Sequence, residues 1–140
     1  MSENMAKELN RLLREILIDE QRYFTEHVKQ ANLTSQQART IGYIDKHPGA
    51  IQRDVADAFK RRGASISNML KNLERDGYIE RKRSPTNDRA KVLYITEKGK
   101  QVITEVDDIF KTIEEKLVEN MDDLEVSKLL TLLKKIKFTD

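Results

Sequence analysis

Residues 63–99, GASISNMLKNLERDGYIERKRSPTNDRAKVLYITEKG, constrain this chain more than any other stretch. Ile66, Met69, Leu70 and Leu73 recur at three- and four-residue spacing, which predicts a helix over about residues 64–76. Gly77 stands where a helix commonly ends on a left-handed residue. Tyr78–Arg81 then alternates as a strand does, and the β-branched and aromatic run Val92–Ile95 supplies its return partner. Between them Ser84-Pro85-Thr86-Asn87-Asp88 is turn chemistry with basic residues on both sides, and Thr96 opens another helix.

The flanking segments extend this pattern. Leu9, Leu12, Leu13, Ile16, Leu17, Tyr23, Phe24 and Val28 mark a first helix over residues 5–30. Thr34 and Gln37 form a T-x-x-Q capping box that starts a second helix, with Ala38, Ile41 and Ile44 inward and His47-Pro48-Gly49 as its end. A short helix over 52–60 turns Val55, Ala56 and Phe59 inward, and Lys60-Arg61-Arg62-Gly63 links it tightly to the helix at 64–76. Two helices joined by such a turn form a helix-turn-helix, and the hairpin behind them makes it winged. The expected fold is therefore mainly α with a small β-hairpin wing, a winged helix-turn-helix of the α+β class.

After Thr96, an apolar stripe from Val102 to Met121 predicts a long helix over 97–120. Asp122 and Glu125 then cap a last helix carrying Leu129, Leu130, Leu132, Leu133 and Ile136. These stripes exceed what a small DNA-reading lobe can cover, so the chain ends are expected to meet a second copy. That divides the chain into a winged helix-turn-helix lobe at 33–99 and dimerisation helices at 1–32 and 100–140.

A net charge of +2 hides an uneven distribution. Residues 53–91 hold 11 Lys/Arg against six Asp/Glu, and the rest of the chain carries a net acidic excess. A localised basic excess on a fold that presents a helix favours a polyanion. Cysteine is absent, which removes disulfides, thiolate nucleophiles and cysteine metal sites. His27 and His47 are the only histidines, so no metal site and no cofactor are expected. The chain has no apolar run of bilayer length and no apolar leader core, which points to a cytoplasmic protein with no membrane partner. No phosphate-binding glycine loop or nucleophile motif is present, so no enzyme activity is expected.

The residues suited to double-stranded DNA fall in three groups. The outer face of the helix at 64–76 carries Ala64, Ser65, Ser67, Asn68, Lys71 and Arg75. The first turns are small and polar, as a helix entering the major groove end-on requires. Asn68 can pair bidentately with adenine, while Lys71 and Arg75 reach phosphate. The hairpin supplies Arg83, Arg89 and Lys91, with Arg89 placed to enter an A·T-rich minor groove. Gln52 and Arg53 at a helix start, with Lys60, Arg61 and Arg62 in the turn, suit backbone phosphates. A small-molecule effector wedged between the lobes could meet Tyr23, Phe24, Tyr43, Phe59, Met69 and Phe110. The alternative reading is a winged-helix module that binds proteins in a transcription complex without touching DNA; the basic excess argues against it.

SNMLKNLERDGYIER followed by NDRAKVLYITEKG resembles the MarR family of winged-helix transcriptional regulators, and the helix order agrees over nearly the whole chain. The stretch is similar to that family's recognition helix, Leu-Glu-x-x-Gly stop, wing and Leu-Thr-Glu-x-Gly entry to the dimer helix. Arg89 falls on the family's wing arginine. Asn87 stands where the family carries an aspartate, with Asp88 adjacent, and Ile51 replaces a frequent threonine cap. The resemblance implies a homodimer on a pseudo-palindromic operator, often a repressor released by a small lipophilic or aromatic ligand, with control of multidrug efflux a common role.

Overall fold

A computed structural model describes residues 3–61, 63–86 and 91–139. Six α-helices and one hairpin follow in the order α1 (Glu3–Val28), α2 (Ser35–Lys46), α3 (Gln52–Phe59), α4 (Gly63–Arg75), β1 (Ile79–Arg83), β2 (Lys91–Ile95), α5 (Glu97–Val118) and α6 (Asp123–Leu133). The mainly helical fold with a two-stranded wing is the one the sequence predicts.

Local chemistry sets most boundaries. At α2, Thr34 Oγ1 accepts the Gln37 amide at 3.1 Å, and Gln37 Oε1 accepts the Thr34 amide at 3.0 Å. The same reciprocal box closes the start of α6 through Asp122 and Glu125. Ile51 has no side-chain acceptor, so α3 keeps only half a box: the Asp54 carboxylate takes the Ile51 amide at 3.0 Å. Gly77 ends α4 at φ +86°, in the left-handed region where a side chain is strained.

Most boundaries shift by one or two residues from the sequence expectation, and three of the shifts have a visible cause. α1 ends at Val28 rather than residue 30, because Lys29–Ala31 tighten into a 3-10 turn closed by Asn32 at φ +61°. β1 runs on through Lys82 and Arg83, beyond the Tyr78–Arg81 strand that the sequence predicts, because they pair with Val92 and Lys91. α6 stops at Leu133, short of Ile136, where the amides of Lys135 and Ile136 bond three residues back instead of four. A further pairing was not expected. The Gly49 amide donates to Leu93 O at 3.0 Å and the Leu93 amide to Ala50 O at 2.8 Å, so the α2–α3 connection lies along β2 as a single-bridge third strand.

One core runs through the molecule. Ile41, Ile44, Val55, Ile66, Leu70, Leu73, Ile79 and Leu93 fill the winged lobe, and Phe24, Val28, Val102, Val106 and Ile113 continue it between α1 and α5. Buried Thr40 lies 2.8 Å from Gln36 O of its own helix and 3.1 Å from Met69 Sδ of α4, able to donate to either. The outer parts of the terminal helices stand apart from this core. Leu9, Leu12, Ile16, Leu17, Leu117 and Leu130 are each at least two-fifths exposed, and α6 buries none of its residues. Among the described residues no helix is long and apolar enough to cross a membrane.

Candidate nucleic-acid interface

α4 is amphipathic in the strict sense: Ile66, Leu70 and Leu73 are fully buried, so the opposite side must face solvent. Ala64, Ser65, Asn68, Lys71 and Arg75 lie exposed on that side, and Ser67 and Asn72 sit half-buried at its edges. Among the described residues, the side chains of Ser65, Asn68 and Lys71 have no hydrogen-bond or ionic partner within the chain. Arg75 alone is engaged, with its Nε 3.2 Å from Asp76 Oδ1, an exposed pair of little energetic weight. The face thus presents small and amide groups at its start and cations further along, all available to an external partner.

The turn before α4 is built from backbone. Lys60 adopts φ +52°, and the Arg61 amide closes on Ala56 O at 3.1 Å. Both side chains are exposed, as is Arg53, whereas Gln52 is half-buried. Arg62 and Arg89 lie outside the described residues. At the open end of the hairpin Arg83 and Lys91 are cross-strand partners and both are exposed, so two cations flank the tip.

Two features that position this surface were missed. Arg81 was counted as one more base. Its parity with Ile79 puts it on the inner face of the hairpin, with its side chain only 17 % exposed and Nε 3.5 Å from Glu74 Oε1 of α4. That geometry is ionic without being a hydrogen bond, and Nε and one terminal nitrogen have no hydrogen-bond partner among the described residues. The contact ties wing to recognition helix.

The second feature is the junction between wing and α5. Thr96 Oγ1 accepts the Gly99 amide at 3.1 Å as the N-cap of α5. It also lies 2.6 Å from Gly77 O and 3.0 Å from Tyr78 O, able to donate to either. Lys98 Nζ reaches back to Asp76 O at 2.7 Å and lies over the Tyr78 ring. A Cβ on Gly99 would come within 2.4 Å of Tyr78 O and of Ile95 Cγ1, so only glycine allows α5 to approach the stop of α4 this closely. The Thr-Glu-x-Gly signature is thus a weld between the recognition helix and the long helix.

The aromatic candidates divide. Phe24, Tyr43, Phe59 and Phe110 line one cleft of about 380 Å³ between α1, α2 and α5. Within it Phe24 stacks on Phe110 at 4.9 Å, and Tyr43 meets Phe59 edge-on. Tyr23 lies elsewhere, stacked on His27 and lining a separate recess with Ile16 and Ile113, and Met69 packs under Thr40.

A model described as the MarR family matches residues 31–90, the stretch that holds the helix-turn-helix and most of the wing. The regulator BilQ of Clostridium symbiosum is 31% identical over 94 residues, 67% of this chain and 65% of its own length, so the match spans just under two thirds of that relative. Crystalline MepR, a transcription regulator of the Staphylococcus aureus multidrug efflux pump MepA, superposes with a TM-score of 0.82 at 30% identity, over 90% of this chain and 93% of MepR. A Clostridium acetobutylicum regulator assigned to the MarR family does so at 0.76 and 36% identity, over 91% and 94%. The recognition helix, the wing and the weld that joins them to α5 therefore sit in a chain whose relatives regulate transcription and are not enzymes: it belongs to the MarR family of winged-helix transcriptional regulators.

Proposed function

We propose that this regulator binds double-stranded DNA as a homodimer, at a pseudo-palindromic operator, as a repressor released by a small lipophilic or aromatic ligand. The observation that carries the reading is the outer face of α4. Its polar side chains are held on a fully packed helix, and Ser65, Asn68 and Lys71 have no partner of their own among the described residues. In this reading Ser65, Ser67 and Asn68 meet bases, with Ala64 leaving room for close approach. Lys71, Arg75, Gln52, Arg53, Lys60, Arg61 and Arg62 meet phosphate. Arg83, Arg89 and Lys91 carry the wing to the adjacent minor groove. A MepR–DNA complex, at a TM-score of 0.71 and 29% identity, supports DNA as the partner.

The dimer reading rests on the leucine and isoleucine side chains that α1, α5 and α6 leave in solvent. A twofold partner covering them, through segments 1–32 and 100–140, sets two α4 helices about one helical turn of DNA apart, roughly 34 Å. The effector reading rests on the cleft between Phe24, Tyr43, Phe59 and Phe110, whose volume suits a small aromatic molecule. Such a molecule releases DNA only by binding a differently spaced dimer more tightly. Gel shifts of the purified chain against its own upstream region test the core of the proposal. Binding that prefers that duplex to a scrambled one, and that weakens steeply with salt, supports it; equal affinity for both refutes it.

A further inference from the structure

A second recess is lined mainly by cations and polar side chains, and shares Arg39 and Phe59 with the aromatic cleft. It is an open depression of about 650 Å³ between α1, the start of α2 and the turn after α3. Arg22, Lys29, Arg39 and Arg61 line it against a single carboxylate, Glu26, and its apolar lining is confined to Ile18 and Phe59. Among the described residues only Arg22 of these four cations has an ionic partner, Asp19 at a loose 3.9 Å. The Arg39 guanidinium lies 5.3 Å over the Phe24 ring, which steadies it without neutralising it. Ser35 and Gln36 also line the recess. They are the first two residues of α2, ahead of the Gln37 amide that Thr34 caps, so they lie at the positive end of a helix of 12 residues.

We infer that this recess binds a hydrophilic, multiply charged anion, a small molecule bearing a phosphate or diphosphate group. Four like charges in one concavity repel each other until a polyanion joins them, and the potential they create draws one in. Guanidinium forks match phosphate oxygens in pairs, and with four cations on its wall the recess suits an anion better than a neutral lipophilic molecule. The site also reaches the DNA-facing turn, because Arg61 belongs to both. An anion that takes Arg61 removes a cation from the phosphate-binding set, so anion and DNA bind antagonistically. That coupling rests on the proposed DNA-binding role; the anion site itself does not.

The test titrates inorganic pyrophosphate into the 140-residue chain by calorimetry, with ionic strength held constant by sodium chloride. The expected result is saturable binding of one equivalent per chain. Arg22→Gln and Arg39→Gln should each weaken it at least about tenfold, and Arg39→Lys should restore part of it. A second arm titrates pyrophosphate into a preformed complex with upstream duplex. Displacement is expected in the unsubstituted chain and needs at least about tenfold more pyrophosphate in Arg22→Gln, which retains the salt dependence of duplex binding. Absence of saturable binding, or binding unaffected by both glutamine variants, overturns the inference. So does a loss of about one unit of salt slope in Arg22→Gln without pyrophosphate binding, which makes the recess a seat for the DNA backbone. Saturable pyrophosphate binding in a chain that binds no duplex upholds the anion site and refutes only the DNA reading.

Discussion

Replacing Gly99 by alanine should destabilise this protein, although the same change in most helices is favourable. The added methyl would stand 2.4 Å from Ile95 Cγ1 and 2.4 Å from Tyr78 O, more than 1 Å inside normal contact. Ile95 can yield by rotating. The Tyr78 carbonyl cannot, because the Thr96 amide at 3.2 Å and the Thr96 hydroxyl at 3.0 Å both hold it. The first turn of α5 must therefore lift away from the hairpin. Overpacking of this kind costs about 1–3 kcal/mol. Weakening the two Thr96 bonds adds about 1 kcal/mol. The better helix propensity of alanine returns at most about 1 kcal/mol. The net loss is about 2 kcal/mol, or a fall in Tm of roughly 8 °C for a chain of this size.

Gly42 provides the internal control. It lies inside α2, and a Cβ there meets nothing within 4 Å, so Gly42→Ala should raise stability by about 0.5–1 kcal/mol. The assay is urea unfolding followed by circular dichroism at one fixed chain concentration, since assembly makes apparent stability concentration-dependent. If Gly99→Ala unfolds within about 0.5 kcal/mol of the unsubstituted chain, the junction is soft and the account of the Thr-Glu-x-Gly signature fails.

Asn68→Ala should relax discrimination at one base position by about 1–3 kcal/mol, measured by competition among single-base operator variants; unchanged discrimination removes Asn68 from the base-reading set. Lys71→Gln should instead weaken all duplexes alike and lower the slope of log affinity against log salt by about one, and an unchanged slope removes Lys71 from the phosphate set. Arg89→Ala should weaken operators with A·T-rich flanks more than those with G·C-rich flanks at one salt concentration, and equal losses refute a minor-groove role. Leu12→Glu combined with Leu117→Glu, both at exposed positions, should leave the fold intact by circular dichroism while sedimentation moves to the monomer; an unchanged sedimenting mass refutes the dimer surface.

What the sequence disclosed is local chemistry. Thr34 with Gln37, Asp122 with Glu125, and Gly77 each solve a problem within a few residues, so residue type and spacing are enough to read them. Helical spacing also told which side of α4 is buried, and with it which side is free. It could not tell depth. Tyr23, Phe24 and Met69 share an apolar spacing with the cleft residues, yet only Phe24 lines that cleft: Tyr23 faces a separate recess between α1 and α5, and Met69 packs against Thr40 of α2. The pairing of Ala50 with Leu93 left no trace, since it is made by backbone atoms 43 residues apart. Arg81 was hidden for a different reason. A base in a basic hairpin reads as solvent-facing until the register shows β1 reaching Arg83, which puts Arg81 inside the strand on the side of Ile79.

The weld at Gly99 also bears on how a ligand could reach the DNA under the proposed function. Thr96 and Lys98 bind the first turn of α5 to the residues that end α4, so α4, the wing and the base of α5 move as one body. Phe110 lies 11 residues beyond Gly99 on the same helix, about 16 Å along its axis, stacked on Phe24 of α1. A molecule that parts this pair by about 2 Å tilts α5 by roughly 7° over that length. The tilt reaches α4 only if the weld holds. Phe110→Ala should therefore lower ligand affinity while leaving ligand-free DNA binding nearly unchanged. Gly99→Ala, studied at a temperature where it is fully folded, should still bind ligand but release less DNA in response. Joined in one chain, the two changes should act on separate quantities, affinity and coupling. If Gly99→Ala instead preserves the full ligand effect on DNA, the signal does not travel through α5, and the cleft must act through α2.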